Sequence, residues 1–476
     1  MEGKRSILIV GGGTAGWMTA AYLAKYFNLP DNPNLEITLL ESPEIGPIGV
    51  GEGAFPTIRS TLQFSHHYFH PFEAPFYTEG TSLVPYWLLQ DERTRPPFAE
   101  AVTIQHRVAQ AQRGPKRPGE GEFTGPLNYA YHFDAGQLGQ VLAARATQLG
   151  VRHICDLLAD TMLRLDGTIE RVITREHGGL QADLFIDCSG FRAELIGRAL
   201  GSRFTSARRF LFTDRAIACK LPYDRPDAPL ESFTIAAAHQ AGWTWDIALA
   251  TARGIGTVYS SAHMSDAEAE QVLRAYAGVR IDEVETRLLS FEPGYREQQW
   301  IGNTVAVGLS GGFLEPLEST GVVVIEAAIA MIAELFPHTG PIDAPARRFN
   351  QLMTARYENI INFLKLHYCL SRREEPFWRD NVDPDSVPDR LREMLDQWRH
   401  RPPSRYDFII DLESFAFFNY QYILYGMEFR TDLSPGRADF PDVREAEKLF
   451  RRIRTFGERA TADLPAHRAL IEQINA

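Results

Sequence analysis

Ser6-Ile7-Leu8-Ile9-Val10-Gly11-Gly12-Gly13-Thr14-Ala15-Gly16 is a short β-branched, apolar run that breaks directly into glycines. An apolar pattern of helical spacing follows through Trp17, Met18, Ala21, Tyr22 and Leu23. The reading is strand, tight turn, helix. A second strand, Glu36 to Leu40, ends in Glu41, about 25 residues beyond Gly16, close to the spacing of a ribose-binding acid in a dinucleotide-binding βαβ unit. Glycines let the backbone approach a pyrophosphate, the helix N-terminus attracts its negative charge, and Glu41 accepts hydrogen bonds from ribose hydroxyls. A glycine turn that merely packs a helix on a sheet would leave Glu41 unexplained.

Further glycine-bearing strand ends occur late in the chain, at Asp187-Cys188-Ser189-Gly190 and at Gly308 to Gly312. They suit one long cofactor stretched across a discontinuous domain, which favours FAD over NAD. No second G-x-G-x-x-G exists for a nicotinamide, so reducing equivalents are expected as reduced FAD from a separate flavin reductase.

Between these landmarks, Gln112 to Gly125 is crowded with Gly, Pro, Lys and Arg and reads as a surface loop. Tyr129 to Asp134 and Leu184 to Gly190 read as strands returning to the first domain. Phe204 to Phe291 is strand-rich. Val305 to Leu309 then leads into an almost wholly apolar helix, Val322 to Leu335, expected to be buried on most sides. Phe349, Leu352, Met353, Tyr357, Ile360, Ile361 and Leu364 mark an amphipathic helix, and the remainder is mostly helical in pattern.

The 476 residues, 44% hydrophobic, are enough for two or three structural units. A net charge of −12 argues against a nucleic-acid groove or an anionic membrane surface as partner. The four cysteines are scattered, without metal-ligand or disulfide spacing. Only Ser6 to Val10 separate Arg5 from Gly11, too short for a signal-peptide core, and no run approaches a membrane span. A cytoplasmic setting is the expectation.

Phe313-Leu314-Glu315-Pro316-Leu317-Glu318-Ser319-Thr320-Gly321 resembles the flavin-side signature of the flavin-dependent tryptophan halogenase family. Most of the chain shares the likeness, through Gly11 to Trp17, Gly49 to Glu52, Tyr131 to Asp134, Asp187 to Arg192, Tyr259 to Ser261 and Gly242-Trp243-Thr244-Trp245-Asp246-Ile247. The implied fold is α/β: an FAD-binding Rossmann-like domain of the flavin monooxygenase/halogenase type over residues 1–203 and 301–340, a mixed substrate-side sheet over 204–300, and a helical substrate-side region over 341–476. In that family reduced FAD and oxygen oxidise halide to hypohalous acid, which travels through the protein to an electron-rich arene, where a lysine and a glutamate hold or activate the halogen.

The resemblance gives Glu318 the part of the catalytic glutamate and Thr320 and Gly321 that of the halide-binding backbone. Cofactor contacts are expected from Gly11, Gly13, Ala15, Gly16, Glu41, Val50, Gly53, Leu309 and Val322, and substrate-side roles from Trp243, Trp245 and Tyr420. Each site has a plainer reading: Glu318 as an acid compensating a helix dipole, the tryptophans as alternate positions of a half-buried strand, Tyr420 as core. Ala248 stands where the family's tryptophan motif has proline. The stretch matched to the lysine segment, Glu79 to Trp87, has no lysine, nor does any position between Lys25 and Lys116. Three readings follow: another residue serves, such as His66, His67 or His70; free hypohalous acid halogenates a more reactive arene; or the protein is a monooxygenase that no longer halogenates. A non-catalytic flavin-binding protein is the reading outside the enzyme class.

Overall fold

The computed structural model describes residues 5–44, 46, 52–53, 58–64, 66–78, 81–337, 340–409 and 413–475. The chain divides into two compact units, the first made of residues 1–52, 133–208 and 291–358, the second of 53–132, 209–290 and 359–476. This differs from the sequence reading chiefly in 53–132, which belongs with the second unit, because its strand Ile58–Phe64 pairs with Thr234–His239.

In the first unit, β1 (Arg5–Val10), α1 (Thr14–Tyr26) and β2 (Leu35–Glu41) form the opening βαβ unit. A helix, α2 (Ala135–Gln148), precedes β3 (Arg152–Cys155), and β4 (Leu184–Asp187) and β5 (Thr304–Ala306) complete the parallel part of the sheet. The order is β5, β4, β1, β2, β3, with the short strand Trp300–Ile301 added antiparallel beside β5. Ile7, Ile9, Leu39, Phe185 and Val305 are all buried, as expected for a parallel sheet covered on its faces. The small residues Ala20, Ala21 and Ala24 lie on the buried face of α1.

The apolar stretch after Glu318 is α3 (Thr320–Leu335), which packs against α1. It buries Val322, Val324, Ala328, Ile329 and Ile332 and exposes Glu326 and Glu334. The long α4 (Asp343–Cys369) begins amphipathic, with Phe349, Met353 and Tyr357 inside. From Asn359 to Tyr368 every residue is buried, including Asn362, Lys365 and His367, so period-3.6 patterning ends where the helix becomes enclosed on all sides. Lys365 is held there by a hydrogen bond from Nζ to Asn381 Oδ1 at 2.8 Å, with Nζ 4.8 Å from the Phe212 ring centre.

The second unit carries a seven-stranded mixed sheet, ordered Arg287–Ser290, Arg215–Pro222, Ala252–Tyr259, Gly242–Ala248, Thr234–His239, Ile58–Phe64, His66–His70. All pairings are antiparallel except that of Thr234–His239 with Ile58–Phe64. Helices from Pro376–Val382 to His467–Asn475 make up the C-terminal part.

The strand expected from Tyr129 to Asp134 shrinks to His132–Phe133. Tyr129 and Tyr131 instead turn their hydroxyls onto the Glu122 carboxylate, the first at 2.6 Å, and Phe123 stacks on Tyr129 with ring centres 4.9 Å apart. These donors and Lys116 pull the Glu122 carboxyl down to about 2. Residues 112–125 contain neither helix nor strand, as the sequence indicates.

Gly242–Ala248 is buried from Gly242 to Ile247, so it is not the half-buried strand its alternation suggests. Trp245 lies directly opposite Gly256 on the neighbouring strand, and a Cβ at Gly256 would stand 2.1 Å from the Trp245 ring. Gly256→Ala is expected to destabilise the protein by about 1–3 kcal/mol through overpacking, measured as a lower denaturant midpoint at unchanged slope.

Candidate functional site

The nucleotide-type turn follows from contacts that leave no room for side chains. Gly11 has φ +118°, and a Cβ on it would stand 2.2 Å from the Cys188 carbonyl oxygen at the end of β4. A Cβ on Gly16 would stand 1.8 Å from the Gly11 oxygen, so the first turn of α1 closes directly on the end of β1. Gly13 is different: nothing lies within 4 Å of its Cβ position. It precedes α1 without a side-chain cap, so the helix's first N–H groups are not satisfied by their own N-cap. Open space above a glycine beside an uncapped helix N-terminus fits a pyrophosphate.

Glu41 ends β2 beside this turn. Its Oε1 and Cδ lie 2.3 Å and 2.2 Å from where a Cβ on Gly12 would be, which sets the carboxylate directly over the loop. Ala15 faces the late loop, 2.9 Å from the Cβ position of Gly308 (φ +74°), and Leu309 follows in the short turn Gly308–Ser310. Val322 is buried in α3. The structure thus brings Gly11, Gly13, Ala15, Gly16, Glu41 and Leu309 into one region of the first unit. Gly53 ends the two-residue strand Glu52–Gly53, and Val50 lies outside the described residues.

Asp187, at the end of β4, is a residue for which sequence reasoning gave no role. It is fully buried, and its carboxylate accepts from Ser189 N at 3.0 Å, Ser189 Oγ at 2.5 Å, Leu195 N at 2.9 Å and Ile196 N at 2.8 Å. Burial pushes this carboxyl up, and the four donors pull it back. Its carbonyl receives the Ser310 hydroxyl and the Val307 N–H, tying β4 to the glycine-bearing loop after β5. The Asp-Cys-Ser-Gly pattern was the available signal, since an acid followed by Ser at a strand end can cap the next turn.

The Glu318 segment begins where Phe313 packs its ring edge-on against Phe191 and Phe291, at 5.4 Å and 4.9 Å between centres. Pro316–Glu318 forms one tight helical turn, Ser319 takes a left-handed conformation (φ +50°), and α3 starts at Thr320. Glu318 is 1% exposed and Glu315 0%, so two carboxyl groups are buried on one short loop. Ser319 makes no side-chain cap to α3. Thr320 is buried, and Gly321 is exposed with nothing within 4 Å of its Cβ position. This loop offers an enclosed carboxyl group beside an open helix N-terminus.

In the second unit, Trp243 is 1% and Trp245 7% exposed, with ring centres 6.1 Å apart. The Trp243 indole N–H is buried and has no hydrogen-bond partner among the described residues. Tyr420 is 1% exposed within a cluster of Phe363, Trp398 and Phe408, with ring centres 4.6 to 5.5 Å away, a core placement. The same helix, Phe417–Gly426, presents Tyr422 and Tyr425 to a cleft of about 660 Å³ whose wall includes Trp87, Arg95 and Phe98. The Arg95 guanidinium lies 4.0 Å from the Trp87 ring centre. His70 is buried, with Nε2 3.1 Å from Asn419 Oδ1, while the side chains of His66 and His67 lie outside the described residues. Leu83 is 1% exposed at the start of the short helix Val84–Leu88. Among the described residues no cluster of His, Cys, Asp or Glu could hold a metal, and no helix is long and apolar enough to cross a membrane.

Comparison with known proteins agrees with this geometry along the chain's length. The sequence model of the tryptophan halogenase family matches residues 6–65 and 61–441. The tryptophan 6-halogenase SttH of Streptomyces toxytricini is 33% identical, over 94% of this chain and 94% of that protein. The tryptophan 7-halogenase RebH of Lentzea aerocolonigenes is 33% identical, over 84% and 83%. Among solved structures, a tryptophan halogenase from Shewanella frigidimarina superposes with a TM-score of 0.91 at 34% identity, covering 99% of this chain and 98% of that one. BrvH, a flavin-dependent halogenase from Brevundimonas, gives 0.87 at 31%, covering 98% and 99%. The alignment to SttH runs over 497 positions and that to the tryptophan 6-halogenase ThaL of Streptomyces albogriseolus over 533, both more than the 476 residues here, so these relatives carry segments that this chain lacks. With a family match over most of its length, relatives at 33% identity and a shared fold, the chain belongs to the tryptophan halogenase family, whose members are flavin-dependent oxidoreductases.

Proposed function

We propose that this protein uses reduced FAD, oxygen and halide to halogenate an electron-rich arene such as an indole. The observation that carries the reading is the Glu318 loop: a carboxyl group withdrawn from water, one turn before an uncapped helix N-terminus. The relatives named for their activity act on tryptophan, which supports the indole ring as the substrate type. FAD would supply the oxygen-activating chemistry when held by Gly11, Gly13, Gly16 and Glu41. The first N–H groups of α3, at Thr320 and Gly321, hold the halide by the same electrostatics that favour anions at helix starts. Hypohalous acid, HOX, then reacts with the ring: the arene C–H becomes C–X and water leaves. Glu318 accepts the O–H of HOX at a carboxylate oxygen and so orients the halogen.

The family lysine belongs to a segment that this chain does not have, rather than to the position of Leu83. The two stretches matched to the family model meet at residues 61–65, ahead of Leu83, and Leu83 is packed inside, where an ammonium group would be desolvated at a large cost. Without that charge-assisted donor, the enzyme acts on rings reactive enough to take halogen from HOX held by Glu318 alone. The same absence favours, as a second reading, a monooxygenase that adds oxygen instead.

Three outcomes test these assignments. Gly13→Val should abolish FAD binding by calorimetry at an unchanged melting temperature, because its side chain meets nothing in the protein and enters only the cradle; unaltered affinity would remove the cofactor from this turn. Stopped-flow mixing of the FAD complex with NADH or NADPH should leave the flavin oxidised, since a separate reductase supplies the electrons, and rapid bleaching would contradict that. Given reduced FAD, oxygen and bromide, the protein should brominate members of an indole and phenol panel, with Glu318→Gln lowering the rate by about 10²-fold while FAD affinity stays the same. Products gaining one oxygen would establish the monooxygenase, and peroxide alone a protein without transfer activity.

A further inference from the structure

We propose that His153 is a positioning residue for the cofactor's adenosine half, acting through Glu41; this rests on the FAD reading above. His153 Nε2 lies 2.9 Å from Glu41 Oε2. Three elements create the pair. In the parallel register of β2 and β3, Glu41 sits opposite Cys155, so His153, two residues earlier, shares the face of the sheet to which Glu41 points. From α1, Trp17 meets the imidazole edge-on, with ring centres 5.0 Å apart at 73°, and Trp17 is itself fixed by burial at 3% exposure. The ring therefore has one orientation set by packing and one hydrogen bond set by the sheet.

A carboxylate only accepts hydrogen bonds, so Nε2 carries the proton and donates to Oε2. The other oxygen, Oε1, is the one that stands over Gly12. His153 thus divides the work of the carboxylate between its two oxygens, holding one from β3 and turning the other toward the loop where a ribose hydroxyl would arrive. As a surface ion pair the contact would add little to folding, since the two side chains are 37% and 32% exposed. Its consequence lies in ligand binding, where a preoriented acceptor loses less freedom when the ribose docks.

The test uses the full chain with FAD and FMN as probes, because FMN has no adenosine. His153→Leu should weaken FAD binding by about tenfold, leave FMN affinity and melting temperature unchanged, and lose the adenosine contribution to the FAD/FMN ratio. His153→Gln, whose amide N–H can still reach Glu41, should restore most of the FAD affinity. Wild-type FAD binding that is indifferent to His153→Leu, or an equal loss for FAD and FMN, overturns this inference alone. A wild-type protein that binds no FAD overturns the cofactor reading and the inference with it.

Discussion

The end of β1 and the end of β4 approach so closely at Gly11 and Cys188 that a single methyl group would separate them. The rest of the first unit is arranged around that approach. Because β1 can turn there only without a side chain, α1 leaves the sheet immediately, its first turn rests on the Gly11 carbonyl through Gly16, and its N-terminus opens over Gly13. β4 reaches the same level and is held by Asp187, which caps the following turn with its carboxylate and the loop after β5 with its carbonyl. Three strand ends are thereby fixed at one edge of a parallel sheet, the place where open α/β sheets bind ligands. The Glu318 loop inherits its place from this arrangement, since α3 packs on α1.

The parts of this design visible in the sequence are those enforced by short-range geometry. Glycines at positions 11, 13 and 16 after an apolar strand, and an acid ending the next strand, state the βαβ unit in about forty residues. The helix after Glu318 was equally plain, because its sequence is almost wholly apolar, with only Glu326 and Glu334 charged, both on its exposed side. The Glu318 loop was recognisable only as a resemblance; that Phe313 at its start packs on Phe191 and Phe291 follows from non-local contacts that no local pattern shows.

What could not be read depended on long-range pairing. Alternation around Trp243 and Trp245 suggested one covered face, but the strand is central in its sheet and buried from Gly242 to Ile247, with Gly256 making space for an indole on the opposite strand. Tyr420 and Tyr422 are two apart on a helix, and such spacing cannot say that one ring joins Phe363 and Trp398 in the core while the other reaches the cleft. His153 carried no local signal, because its partner Glu41 is 112 positions away and meets it only through strand register. The placement of 53–132 with the second unit likewise follows from a non-local strand pairing.

The missing lysine shows how an absence and its cause are read from different observations. That no lysine lies between Lys25 and Lys116 is a fact of the sequence. Whether the position was substituted or lost depends on what now occupies it. Substitution at Leu83 would place the ancestral ammonium in a site 1% exposed, a poor environment for a group that must meet an oxidised halogen and keep its charge. Loss of a segment places no such demand, and it accounts both for alignments longer than the chain and for a family match that restarts at residues 61–65. Under the proposed function, the halogen-directing chemistry then rests on one buried carboxyl group, that of Glu318, and the reactivity that a charge-assisted lysine donor would add has to come from the arene.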